Sequence, residues 1–263
     1  EGLGGNVTVF DSVDGVLLVH DGAPEHSAAV LHGLRELTGK SQVHMLFNTH
    51  WHWDQTGSNA ALGAAGTRII AHENTRLWLS TDVDSKWESR KYGRLPEKAR
   101  PSKTFYTTGQ LEFGGEQIEY GYMFQAHTDG DIFVHFKKAN VLVAGDVLSV
   151  GRYPVLDYIT GGWIGGMANA AQQLAARCDD RTMVIPGTGP WQTRADLAAE
   201  QAMLAEVKTR LSKLLAQGMS VSEMQDAAPT SDFDAKWGDP KQFIANTWQG
   251  LIRRTGELGV SIV

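Results

Sequence analysis

Apolar and polar positions along this chain change period several times, and each change marks an element. Val7-Thr8-Val9-Phe10 and Val16-Leu17-Leu18-Val19 flank Asp14-Gly15, which predicts an antiparallel hairpin. Pro24 stands where a helix tolerates proline, and Val30, Leu31, Leu34 and Leu37 recur at helical spacing until Gly39 ends the stripe. The apolar run Val43 to Phe47 reads as a short buried strand. The order strand, helix, strand, followed at once by polar residues, is that of an α/β sheet with a site at its strand ends.

Further along, the pattern predicts a second helix over about 55–64 and a β-branched strand over 67–70. Charged, tryptophan-containing helical material follows over 74–92, with Trp78 and Trp87, and stops near Gly93, Pro96 and Pro101. Residues 80–103 are too apolar for a disordered linker and read as an excursion over the core, of the sort that often covers a site. Five strands are predicted over 104–107, 111–113, 117–124, 132–136 and 141–144. A helix over 168–177, a strand over 182–185 and the loop Pro186-Gly187-Thr188-Gly189-Pro190 come next. A long amphipathic helix from 194 to 217 carries Leu197, Met203, Leu204, Val207, Leu211 and Leu215 on one side, and shorter helices over 221–227 and 241–256 complete the pattern.

Four strand ends present polar residues: His50 to Asp54, His127, Asp146 and Thr188. In Asn48-Thr49-His50-Trp51-His52-Trp53-Asp54-Gln55, two imidazoles and a carboxylate occur at i, i+2 and i+4, and such a cluster is costly to desolvate unless a cation compensates it. The alternative for this stretch alone is a wet surface loop. Trp51 and Trp53 either wall a cleft or anchor the loop on the core. The glycines of 161–166 could present backbone amides to an anion, a weak signal.

These motifs, in this order, resemble the metallo-β-lactamase superfamily. The first motif of that family is His-x-His-x-Asp-His; His50, His52 and Asp54 match it, with Gln55 in place of the last histidine. Ala126-His127-Thr128-Asp129-Gly130-Asp131 is similar to its Gly-His-Thr-x-Gly-Asp segment, and Ala144-Gly145-Asp146 to its Gly-Asp pair. Gly187-Thr188-Gly189 keeps the glycines of its Gly-His-Gly loop but has threonine between them. The resemblance implies an α/β fold, a four-layer αββα sandwich over residues 1–190, with a C-terminal helical extension, 191–263, packed on the same domain. It also implies that His50, His52 and His127 hold one zinc ion, with Asp146 as a fourth ligand or an acceptor behind the ligands. Gln55 and Thr188 are then remnants of a second site whose ion is weakly held or absent, because zinc prefers nitrogen and sulfur donors. Asp54, without histidine partners, is expected to act as general base toward a zinc-bound hydroxide whose parent water has its pKa lowered towards about 7. The family often has an aspartate near the strand end at His20-Asp21 supporting its ligands. The remaining histidines, at positions 20, 26, 32, 44, 72 and 135, read as ordinary core or surface residues.

Composition narrows the function. The 263 residues suit one large α/β unit, and 24 basic against 30 acidic residues, with no basic run, argue against nucleic acid and against an RNA-processing relative. Cys178 is the only cysteine, so no intramolecular disulfide or thiolate zinc site can form. No stretch approaches the roughly 20 apolar residues that span a bilayer. The chain starts at Glu1, as a trimmed chain or a mature form lacking its leader would; the compartment is not legible, and a periplasmic or secreted location is the expectation for the mature form alone. The expected function is a metallo-hydrolase acting on an ester, lactone, thioester or β-lactam carbonyl of a small molecule. Its competitor is a catalytically degenerate, metal-stabilised binding or sensing protein on the same fold; oligomeric state is not legible.

Overall fold

The computed structural model describes residues 3–257, and side chains through residue 254. Strands β1 (Thr8–Ser12), β2 (Gly15–Val19), β3 (Val43–Phe47) and β4 (Arg68–His72) open the fold, with α1 (Ser27–Thr38) and α2 (Asn59–Ala64) between them. Then come α3 (Glu73–Leu79), the small hairpin β5 (Val83–Ser85) and β6 (Arg90–Tyr92), and β7 (Lys103–Phe105). The second half consists of β8 (Thr108–Phe113), β9 (Glu116–Tyr122), β10 (Ile132–Phe136), β11 (Val141–Gly145), α4 (Ile164–Ala175), β12 (Met183–Pro186), α5 (Arg194–Ala216), α6 (Val221–Asp226), α7 (Asp234–Trp237) and α8 (Lys241–Glu257).

Two five-stranded sheets form, in the orders β1-β2-β3-β4-β7 and β12-β11-β10-β9-β8. Their strands obey the period-2 rule on both faces. In β2, Leu17 and Val19 join Phe47, Ile118, Ile132, Val134 and Val143 in the layer between the sheets, while Val16 and Leu18 turn outward to Leu34 and Leu62 of α1 and α2. In the second sheet Ile132 and Val134 face inward, and Phe133, Leu142 and Ala144 face the helical layer containing Leu174, Leu204 and Leu211. Every residue of β2 and β10 is therefore buried, and such strands read as unbroken apolar runs. The layers run helix, sheet, sheet, helix, as the resemblance implies.

The expected elements shift where tertiary contacts override local pattern. Residues 55–58 form a turn rather than the first turn of α2, because Asp21 Oδ1 accepts the Ser58 backbone N–H at 3.1 Å and Ser58 Oγ donates to the Asp21 carbonyl at 2.8 Å. The expected helix over 74–92 stops at Leu79; residues 83–92 are instead a hairpin, and its Trp87 finds a partner across the site. Pro24 opens a short 3-10 turn before α1, and Leu37 is exposed rather than part of the apolar stripe. Helix α4 begins four residues before the expected 168, at Ile164. Helix α7 carries no periodic signal and is an addition to the expected set. Of the extension expected to end at 263, residues 258–263 lie outside the described ones.

Parallel pairing of β2 with β3, β3 with β4, and β11 with β12 brings the ends of these strands to one edge. There the Ile132 N–H donates to the Thr49 carbonyl at 2.8 Å, joining the two sheets beside the motif loop. Asn48 and Asn59 exchange amide hydrogen bonds at 3.1 and 2.9 Å, fastening that loop to α2.

Candidate metal centre

The loop after β3 carries His50 and His52, and the loop between β9 and β10 carries His127. All three are buried, and their candidate ligand nitrogens lie within 4.8 Å of one another. Ring centroids are 4.7–4.8 Å apart and the rings stand nearly perpendicular, at 87–88°. This convergence of edges, not faces, leaves one nitrogen of each ring directed at a common point.

The outer nitrogens decide which one. His127 Nδ1 lies 2.7 Å from the Val155 carbonyl, which only accepts, so Nδ1 carries the proton and Nε2 is bare. His52 Nε2 donates to Asp157 Oδ2 at 3.2 Å, leaving its Nδ1 bare. These two inward nitrogens face each other at 2.9 Å, a distance that calls for a proton or a cation between them, and the buried Nε2 of His50 has no hydrogen-bond partner. Three lone pairs gathered in a buried space repel one another unless a proton or a cation lies among them. Three imidazole nitrogens with a second partner behind them suit a divalent transition metal.

The surrounding charge points the same way. Burial disfavours a charged His52, yet the hydrogen bond and charge of Asp157, aided by Asp54 and Asp146, outweigh it and raise His52 to about 9. Burial and the neighbouring His127, His52 and His20 hold His50 well below its ordinary value, and burial with His52 lowers His127. In the metal-free pocket one positive charge, on His52, is thus demanded by the acidic surroundings. A cation satisfies that demand with better geometry than one proton.

Asp54 is half-buried, and burial followed by the charge of Asp146 raises it to about 6, with His52 and Arg152 pulling back. Asp146 Oδ2 stands 3.8 Å from His127 Nε2, while its Oδ1 is buried without a partner. That carboxylate needs Gly187: a Cβ there would fall 1.7 Å from Asp146 Oδ1. Among the described residues only the three histidines converge, so Asp54 and Asp146 flank the group rather than complete it.

The two remnants separate. Gln55 is fully buried, and its Nε2 donates to the Gly187 carbonyl at 3.3 Å, which ties the motif loop to the β12 loop. Thr188 is exposed and lines a depression of about 620 Å³ with Leu3, Gly5, Asn6 and Pro190. Asp21 holds the Gln55–Ser58 turn through Ser58 and the Gln55 carbonyl, and so supports the motif loop by its backbone.

Sequence reasoning passed over Asp157, which is completely buried and accepts from His52, Thr160 Oγ1 (2.6 Å), the Ile159 N–H (3.1 Å) and Trp87 Nε1 (3.2 Å). It lies eleven residues past Asp146 in a loop without periodicity, so nothing local marks it. His20 was read as ordinary, but its Nε2 sits 2.5 Å from Thr49 Oγ1, which in turn contacts His50 Nδ1 at 3.1 Å. Trp51 is buried, donates to Thr160 Oγ1 at 3.1 Å and packs edge-on to Tyr92. Trp53 lies under the Arg90 guanidinium, 4.0 Å away. The hairpin β5–β6 therefore does reach over the site, with the Trp87 ring 6.3 Å from that of His52.

A model of the metallo-beta-lactamase superfamily matches residues 1–203, and the chain belongs to that superfamily. Metallo-beta-lactamase IND-1 of Chryseobacterium indologenes is 24% identical over 147 residues, which are 56% of this chain and 56% of that protein, so the chain spans little more than half of this curated relative. Among solved structures, BLEG-1, a B3 metallo-beta-lactamase, has a TM-score of 0.64 at 20% identity, covering 78% of this chain and 96% of its own. A metallo-beta-lactamase from Pontibacter korlensis has a TM-score of 0.61 at 19% identity, covering 76% and 93%. These likenesses establish the αββα fold. With it, the three-histidine group fits a metal-dependent hydrolase.

Proposed function

We propose that this protein is a zinc-dependent hydrolase that holds one ion on His50, His52 and His127 and cleaves an ester, lactone, thioester or β-lactam carbonyl of a small molecule. The observation that carries the proposal is the set of three buried imidazoles whose candidate ligand nitrogens lie within 4.8 Å, two with outer nitrogens fastened by Val155 and Asp157. Three protein ligands, with a fourth position left for water or substrate, are the pattern of catalytic rather than structural zinc.

When bound, the ion supplies a Lewis acid that polarises a carbonyl and acidifies a water to a pKa of about 7. Asp54 is the general base of the proposal: raised to about 6, it is ionised at neutral pH and still basic enough to take a proton from the attacking water. Asp146, fixed by the room Gly187 leaves, presents a carboxylate beside His127 that holds the ligand side of the site negative. Asp157 holds the outer Nε2 of His52 so that Nδ1 faces the ligand side, and Trp87 steadies the same carboxylate from the hairpin.

A single ion is favoured because neither Gln55, whose Nε2 is held by the Gly187 carbonyl and whose Oε1 is buried without a partner, nor the exposed Thr188 supplies a nitrogen donor for a second ion. The same observation favours the competing reading, a metal-stabilised binding or sensing module. Elemental analysis of the purified protein is expected to give about one zinc per chain. Two tightly held ions would refute the mononuclear site. A panel of β-lactam, lactone, ester and thioester substrates, in which the names of the relatives place β-lactams first, is expected to show zinc-dependent turnover. A panel without any turnover would favour the binding module.

A further inference from the structure

His52 and His127 have outer partners that settle their tautomers alone: a carboxylate and a carbonyl can only accept. His50 differs. Its outer nitrogen meets the hydroxyl of Thr49 at 3.1 Å, and a hydroxyl can donate or accept, so this contact by itself leaves open which nitrogen of His50 carries the proton. The answer comes from one residue further back.

His20 follows β2 at φ 65°, a left-handed conformation uncommon for a residue other than glycine, and its N–H is held by the Phe47 carbonyl at 2.9 Å. A residue kept in this conformation is one that its surroundings over-determine. Its fully buried ring bridges the Asn6 carbonyl, 3.3 Å from Nδ1, and Thr49 Oγ1, 2.5 Å from Nε2. The carbonyl accepts only, so Nδ1 of His20 is the protonated nitrogen, and Nε2 of this neutral ring must accept from Thr49. The single hydroxyl proton of Thr49 is thereby committed, and its oxygen can only accept from His50 Nδ1–H. What remains is a bare Nε2 on His50, the ligand-side nitrogen that lacks any partner. Space for the hydroxyl depends on Gly145, where a Cβ would lie 2.4 Å from Thr49 Oγ1.

We propose that His20 is a positioning residue for the metal centre: acting through Thr49, it fixes the proton of His50 on Nδ1 and keeps Nε2 available as a ligand. The proposal rests on reading the three histidines as the metal site. Its three links form a one-way chain: the Asn6 carbonyl accepts from His20, His20 from Thr49, and Thr49 from His50. A purely structural role for Thr49 and His20 would satisfy buried polar atoms without imposing a tautomer.

The test uses the full chain stripped of metal by chelation. Long-range ¹H–¹⁵N spectra of the imidazoles are expected to show His50 protonated on Nδ1 in the parent and a mixture of tautomers in His20→Phe, where the Thr49 hydroxyl is free to turn. Cobalt or zinc affinity, measured by competition with a chromogenic chelator, is expected to fall by about 10–100-fold in Thr49→Val and in His20→Phe, the range for partners behind metal ligands. Thr49→Ser, which keeps the hydroxyl, is expected to bind as the parent does. Near-ultraviolet circular dichroism identifies a variant that has not folded, and the tautomer of the parent then decides alone. A parent His50 protonated on Nε2, or a folded Thr49→Val with parental affinity, overturns the proposal. A parent that binds no metal yet shows the Nδ1–H tautomer would refute the zinc site while leaving the relay intact.

Discussion

Replacing Asp157 by asparagine changes one atom and is expected to disable His52 as a ligand. Four donors converge on this buried carboxylate: Trp87 Nε1–H and the Ile159 N–H on Oδ1, His52 Nε2–H and the Thr160 hydroxyl on Oδ2. An indole and a peptide N–H can only donate, so the asparagine oxygen must take the Oδ1 position and the NH₂ must face His52. Two N–H groups cannot point at each other at 3.2 Å, and His52 relieves the clash by giving up its Nε2 proton and keeping the one on Nδ1, the nitrogen 2.9 Å from His127 Nε2. Loss of an outer partner weakens metal binding by about 10–100-fold, and tautomer inversion places this variant at the upper end, about 2.8 kcal/mol. The metal-free fold loses charge-assisted hydrogen bonds to a fully buried group and is expected to be weaker by about 2–3 kcal/mol. Zinc affinity by chelator competition and urea unfolding of the stripped protein measure the two effects separately. An Asp157→Asn protein that folds and binds zinc as tightly as the parent would refute the reasoning.

Asp54→Asn is expected to abolish turnover while leaving about one zinc per chain, since Asp54 stands outside the converging group; metal loss in parallel with activity would assign it to the ligand set instead. Gly187→Ala is expected to displace Asp146, whose Oδ1 would lie 1.7 Å from the new Cβ, and to lower turnover more than folding stability, as compared by kinetics and thermal melting. Glu200 is completely buried, and burial raises it to about 8, only partly offset by the Ser149 N–H that it accepts at 2.9 Å. Because the folded state holds this proton above the ordinary value of 4.5, its contribution to stability is full below about pH 4.5 and is lost as pH rises through 8. Glu200→Gln is therefore expected to be more stable than the parent at pH 9 by about 5 kcal/mol and to show little difference at pH 4.5, read from urea unfolding at the two pH values.

Period and turn chemistry made most elements legible: the β1–β2 hairpin, β3, β10 and α5 fall within a residue or two of their expected limits. Expectation failed where a distant group overrode a local preference. Helical propensity over 80–92 lost to a hairpin whose Trp87 is held by Asp157, 70 residues away in the chain. The start of α2 lost to a turn held by Asp21.

The sequence by itself determined the superfamily and the identity of the three histidines, because motif residues sit beside strand ends and alternate apolar positions reveal the strands. Only the tertiary structure decided which nitrogen each ring offers. That choice depends on Val155, Asp157, Thr49 and His20, which the fold brings to the imidazoles from separate loops. A proton's position on an imidazole is set by the partner opposite the ligand side, and such partners leave no periodic trace in the chain. The reading of Gln55 also changed with structure: from an empty place in a motif it became a hydrogen-bonded tie between two loops.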